Sequence, residues 1–191
     1  MQIAQSKTRD QYPLSPKKII KKTVTGSIGW MIIFAIFATA IFSSLLTVLE
    51  KFNLNFMNIF IWVIIIILSD ILITILNYFY QRWYFAVYFY DLTEDHIIIK
   101  KGPIAPSEIT IPYERIQDVY VDQDLFDRMF GLYDVHISSA TFMSGIQAHI
   151  DGVEKPAADG LKTLMLQKMH EKINLSKNGN NLTSSPNSSQ V

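Results

Sequence analysis

The sequence is 191 residues long and 49% hydrophobic, with no cysteine and with 17 basic residues balanced by 17 acidic ones. The lack of Cys excludes disulfides and cysteine-based metal or redox chemistry. The zero net charge conceals a split: Lys7, Arg9, Lys17, Lys18, Lys21 and Lys22 against Asp10 give residues 1–29 a net +5, whereas residues 81–175 carry nine basic and fourteen acidic side chains, a net −5.

The basic N-terminal segment, residues 1–27, precedes two apolar blocks. Ile28–Leu49 is free of charge, and Ile59–Tyr80 has only Asp70. A bilayer core about 30 Å thick needs ~20 apolar residues of helix to cross it, and inside lipid a helix satisfies its own backbone groups. Both blocks therefore predict transmembrane helices, at about 28–49 and 59–80, although Ile64-Ile65-Ile66-Ile67 favours strand by propensity. The competing readings are a buried helix pair of a soluble protein, or a cleaved signal peptide ending at Ala38-Thr39-Ala40. A soluble domain of this size cannot surround two such blocks, and the first run continues unbroken to Leu49.

Basic residues mark the inner flank of a span. The loop Glu50 to Asn58 has only Lys51, against six basic residues in the N-terminal segment. Trp30 and the group Tyr78, Tyr80, Trp83 and Tyr84 fall where an interfacial aromatic belt is expected. The prediction is a multi-pass protein of the cell (cytoplasmic) membrane, with the lipid bilayer as its first partner and both termini cytoplasmic. The cluster Lys17, Lys18, Lys21 and Lys22 then suits contact with anionic lipid, or serves as a topology signal alone.

Behind Arg82 the pattern alternates. Strands are predicted at about Phe85–Leu92, His96–Lys101, Glu108–Pro112, Asp118–Asp122, Tyr133–Ser139 and Gln147–Val153. Asp124 reads as the N-cap of a short helix, Leu125 to Phe130, closed by Gly131. A longer helix follows Pro156, with the stripe Leu161, Leu164, Met165, Met169 and Ile173 at spacings of three or four. The fold class is thus α+β: a two-helix transmembrane hairpin followed by an antiparallel β domain over 81–173, capped by a C-terminal helix. Residues 174–191 are rich in Asn, Ser and Gly and predict a disordered tail. The sequons at Asn174 and Asn181 have no meaning if that tail is cytoplasmic.

From Tyr84 to Lys172 the chain resembles the bacterial PH-like domain family, in its YdbS-like membrane-protein branch. The features are Tyr90-Asp91-Leu92-Thr93-Glu94-Asp95-His96, a strand ending Lys100-Lys101-Gly102, and above all Ile111-Pro112-Tyr113-Glu114-Arg115-Ile116-Gln117-Asp118-Val119. Asp124-Leu125-Phe126-Asp127-Arg128-Met129-Phe130-Gly131-Leu132, Val135-His136-Ile137-Ser138-Ser139-Ala140 and Ile150-Asp151-Gly152-Val153 follow in order, and Leu14-Ser15-Pro16-Lys17-Lys18 extends the likeness upstream. The resemblance implies a pleckstrin-homology-like curved sheet capped by a helix, two membrane helices, and pairing with a larger membrane paralogue bearing several such domains. It brings no catalytic residues. The acids Asp118, Asp122, Asp124 and Asp127 depart from the pattern and argue against a headgroup-binding role for the domain.

Candidate chemistry is sparse. A calcium loop counted from Asp122 would need Gly at Asp127 and Glu at Tyr133. His96, His136, His149 and His170 lack ligand spacing, Ser144-Gly145 lacks a nucleophile-elbow frame, and no Gly-rich phosphate loop occurs. No enzyme, cofactor, metal, nucleic acid or small-molecule substrate is expected. Asp70 differs, because a carboxylate within a span is expensive and ordinarily faces a partner or water. It is either satisfied inside the hairpin by Ser69, Thr74, Ser43, Ser44 or Thr47, or it contacts a membrane partner. The function expected is a non-enzymatic, membrane-anchored interaction module paired with a larger paralogue. The alternatives are an accessory subunit of a transport, envelope-stress or antimicrobial-resistance system, and a lipid-binding sensor.

Overall fold

A computed structural model describes residues 6–52, 56–139 and 148–183, with side chains over 6–40, 60–61, 63–139 and 148–175. The described residues divide into two units: Ile19–Ala86, and a second that joins the residues up to Lys18 to those from Val87 onward. The chain opens with a short helix, α1 (Lys7–Gln11), followed by two long ones, α2 (Lys17–Phe52) and α3 (Phe56–Val87).

Both apolar blocks are helical, and stretches at Lys17–Ala40 and Val63–Val87 are long and apolar enough to cross a membrane. Their large side chains point outward: Ile36, Phe37, Leu68 and Phe79 are all exposed. Water would penalise so continuous an apolar surface, whereas hydrocarbon does not. Within this unit the Asn77 amide donates to the Thr23 carbonyl at 3.2 Å and accepts from Gln81 at 3.3 Å, tying the two helices together. The start of the first predicted strand, residues 85–87, belongs instead to α3. Extending an existing helix adds one hydrogen bond per residue fixed, which overrides the strand preference of its aromatic end.

The second unit holds six strands: β1 (Phe89–Leu92), β2 (His96–Lys101), β3 (Ser107–Pro112), β4 (Ile116–Asp122), β5 (Leu132–Ser139) and β6 (His149–Glu154). They form two three-stranded antiparallel sheets, ordered β1-β2-β3 and β4-β5-β6, rather than one continuous curved sheet. The break falls where Pro112, which has no N–H to donate, ends β3 and a 3₁₀ turn over Tyr113–Arg115 redirects the chain. Between β4 and β5 lies α4 (Leu125–Phe130), closed at its start by a reciprocal capping box. Asp124 accepts from the Asp127 N–H at 2.6 Å, and the Asp127 carboxylate accepts from the Asp124 N–H at 3.3 Å.

The last element is α5 (Lys155–Thr183), which contacts β4, β5 and β6. Ala158, Leu161 and Met165 are fully buried and Met169 nearly so, while Leu164 is half-buried and Ile173 exposed. They meet Val119, Val135, Ile137 and Ile150 of the second sheet in a core completed by Tyr88, Tyr90, Ile97, Ile99 and Tyr113. Each fully buried Leu or Met contributes roughly 1.5–3 kcal/mol. Burial also raises the Tyr90 and Tyr113 phenols above their ordinary value. Past Asn174, where a disordered tail is expected, α5 continues to Thr183; helix propagation again carries through poor formers. The remaining residues, 184–191, lie outside the described set, as does Ser144-Gly145.

An exposed ion pair fastens α5 to the first hairpin: Lys172 Nζ lies 2.5 Å from Asp95 Oδ1. The bond from Lys172 lowers the Asp95 carboxyl below its ordinary 3.8, so its contribution is complete above that value and disappears as pH falls through the lowered one. The stability difference between wild type and Asp95→Asn is therefore expected to be largest near pH 7 and to vanish toward pH 2. Urea midpoints across that range measure it; a difference that grows on acidification contradicts the assignment.

Candidate functional site

Asp70 sits in α3 beside Ser69, whose hydroxyl is already committed to the Ile66 carbonyl at 2.8 Å. Thr74 is half-buried one turn on, and the side chains of Ser43, Ser44 and Thr47 lie outside the described set. Asp70 Oδ1 is buried and has no hydrogen-bond partner among the described residues. Burying such an oxygen without compensation is unfavourable by several kcal/mol in an apolar medium, so this atom is the most conspicuous polar feature of the hairpin.

The basic cluster occupies a different setting from the exposed lipid contact expected for it. Lys18 and Lys21 are each only 3% exposed, and Lys22 is half-buried; Lys17 alone is open, and it pairs with Glu154 at 3.2 Å. Lys17 and Ser15 together hold the Glu154 carboxyl below its ordinary value. Lys18 forms an ion pair with Asp151 and donates to the Asp151 carbonyl at 3.1 Å, with Nζ 4.0 Å from the Tyr88 ring centroid. A buried charge requires such a partner, and this one spends Lys18 on the protein's own β6.

These contacts belong to a strap, residues 6–18, which the sequence assigned to a separate cytoplasmic segment. Its start lies along β1: Ser6 Oγ reaches the Tyr90 carbonyl at 2.7 Å and Asp91 Oδ1 at 2.8 Å, and the Leu92 N–H donates to Thr8 Oγ1 at 3.1 Å. Tyr90 in turn donates its hydroxyl to the Tyr12 carbonyl. Its end lies along β6, where Leu14 bridges Val153 and the Ser15 N–H donates to the Gly152 carbonyl at 2.9 Å. Two glycines make room for it. A Cβ on Gly160 would come within 2.2 Å of the Tyr12 ring, and one on Gly152 within 2.7 Å of the Lys18 side chain. The sequence singled out Lys17 and Lys18, and the segments Leu14-Ser15-Pro16-Lys17-Lys18, Tyr90-Asp91-Leu92 and Ile150-Asp151-Gly152-Val153, but none of the contacts that join them.

The remaining polar candidates are structural or superficial. Asp124 and Asp127 are occupied by their capping box, and among the described residues no group of three His, Asp or Glu side chains could hold a metal. His170 bonds the Leu166 carbonyl on its own helix, and His96 lies half-buried in β2. Lys100 pairs with Glu108 at 3.0 Å. His136 and His149, unlike these, stack on one another with ring centroids 5.4 Å apart.

Comparison with family models matches residues 28–169 to the model described as bacterial PH domain. That span takes in α2 from residue 28, all of α3, both sheets and about half of α5. No curated protein and no solved structure matches the chain.

Proposed function

We propose, from the premise that this chain belongs to the bacterial PH domain family, that it is a non-enzymatic interaction module anchored in the cytoplasmic membrane. In this reading it is a subunit of a membrane complex whose other member is a larger paralogue of the YdbS-like kind. The observation that carries the reading is the strap: residues on both flanks of the helical hairpin, 6–18 and 87 onward, fold into one unit. A single folded unit cannot straddle a bilayer, which supports an even number of crossings and both flanks on one side. The charge asymmetry of the flanks supports the cytoplasmic side.

Asp70 is the proposed contact with the partner's membrane helices. Its buried oxygen, without a partner among the described residues, is what a donor from a neighbouring helix would satisfy, and such contacts contribute about 1–2 kcal/mol at most. The folded unit, with the strap counted, is net −2 and so is not attracted to anionic headgroups as a whole, and Lys18 and Lys21 are too buried in this state to serve a lipid sensor. Mild-detergent co-purification with mass spectrometry tests the reading: a stoichiometric paralogue is expected with wild type and reduced recovery with Asp70→Leu. Unchanged recovery of every membrane partner from Asp70→Leu sinks the docking role, and recovery of none from wild type sinks the module.

A further inference from the structure

The outer face of the second sheet carries a row of rings. Tyr120 on β4, His136 on β5 and His149 on β6 are successive cross-strand neighbours in register. Tyr120 and His136 stack at 4.9 Å with 5° between planes, and His136 and His149 at 5.4 Å with 23°. Both faces of His136 are thereby covered. Tyr120 ends the row on the terminal strand of its sheet and is 46% exposed. On the opposite face Val119, Val135 and Ile137 are buried, which fixes the strands beneath the row.

Residues two apart on a strand share a face, so Asp118 and Asp122 flank Tyr120 on the same side. Asp118 is exposed and Asp122's side chain is 55% exposed, with its Oδ1 3.1 Å from His136 Nε2. An aromatic ring held rigid by stacking, open on one side and bracketed by carboxylates, matches a planar cation. Guanidinium satisfies both demands at once: it stacks on the ring and forks to carboxylate, which a Lys ammonium does less well. We propose that the Asp118–Tyr120–Asp122 face of β4 is a docking surface for an arginine-bearing segment of a partner protein. This rests on the interaction-module reading and names the chemistry of the partner. The unit carries 13 basic and 15 acidic side chains, a net −2, and the two carboxylates of this face attract a cationic segment locally and repel an anionic membrane surface.

The test uses the full chain in phosphatidylcholine nanodiscs and a fluorescent peptide of alternating arginine and serine, read by anisotropy. Wild type is expected to bind it more tightly than the lysine–serine peptide. Tyr120→Leu, which keeps net charge and bulk, is expected to weaken binding roughly tenfold, and Tyr120→Phe to retain it. Asp122→Asn should weaken binding, whereas Glu108→Gln, an equal charge loss on β3, should not. Equal losses from Asp122→Asn and Glu108→Gln, with Tyr120→Leu unaffected, mean diffuse attraction and overturn the proposal. So does Tyr120-dependent binding of phosphatidylethanolamine vesicles in place of the peptide. A protein that fails to bind the peptide yet still recovers its membrane partner refutes this inference and leaves the module reading intact.

Discussion

Lys18→Ala is expected to destabilise the β-rich unit by about 3–5 kcal/mol, the loss typical of removing one member of a buried ion pair. The carboxylate left behind, Asp151, has a side chain only 10% exposed, and nothing in alanine can replace the ammonium that pairs with it. The substitution also removes the donor to the Asp151 carbonyl and the cation above Tyr88. For a unit near 100 residues that corresponds to a fall in midpoint temperature of more than about 10 °C. Thermal unfolding of the full chain in detergent, followed by proteolytic susceptibility of the β region, measures it. The double variant Lys18→Met with Asp151→Leu should recover most of the loss, because two apolar groups do not strand a charge. A Lys18→Ala protein as stable as wild type means the pair is not formed in solution.

Gly152→Val is expected to destabilise the same unit by about 3 kcal/mol, through two separable causes. The backbone at Gly152 has φ +77, a left-handed conformation that disfavours L side chains by roughly 1–2 kcal/mol. The new side chain also meets three carbons of Lys18 within 2.8 Å, an overpacking term of about 1–3 kcal/mol. Only the second cause depends on Lys18. In a Lys18→Ala background the valine should therefore have a smaller effect, and a double-mutant cycle in the same assay reads the difference directly. Strict additivity of the two substitutions would show that Lys18 does not lie on Gly152.

Much of the architecture is legible from residues alone, and the reasons are local. Two 22-residue apolar runs specify helices because lipid leaves backbone groups no other partner. The β2 strand was placed at His96–Lys101 because its β-branched Ile97-Ile98-Ile99 run lies between the turns Thr93-Glu94-Asp95 and Gly102-Pro103, and α4 at Leu125–Phe130 because Asp124 and Gly131 are strong punctuation. The strap was not legible. Ser6 through Lys18 shows no periodicity, and its meaning resides in hydrogen-bond partners 78 to 139 positions away. Gly152 and Gly160 read as ordinary strand and helix positions, and only the fold shows Lys18 and Tyr12 lying on them. The ring row was hidden for a related reason: Tyr120, His136 and His149 become neighbours only when the register of three strands is known. Asp70 stood out in sequence as a charge in the wrong solvent, and it stands out still by a buried oxygen with no partner among the described residues.

The strap also sets an order of events for biosynthesis. Residues 6–18 leave the ribosome well before β6, for Ser15 bonds to a strand whose Glu154 is 139 positions later. At 5–20 residues per second, the wait is on the order of ten seconds. During it both hairpin helices must insert and the first sheet must form, with the start of the strap able to join β1 but its Leu14–Lys18 end still unattached. The Leu14–Lys18 end of the strap is thus fastened only once β6 exists, and a nascent chain arrested before β6 would present that end to proteases that the finished protein withstands.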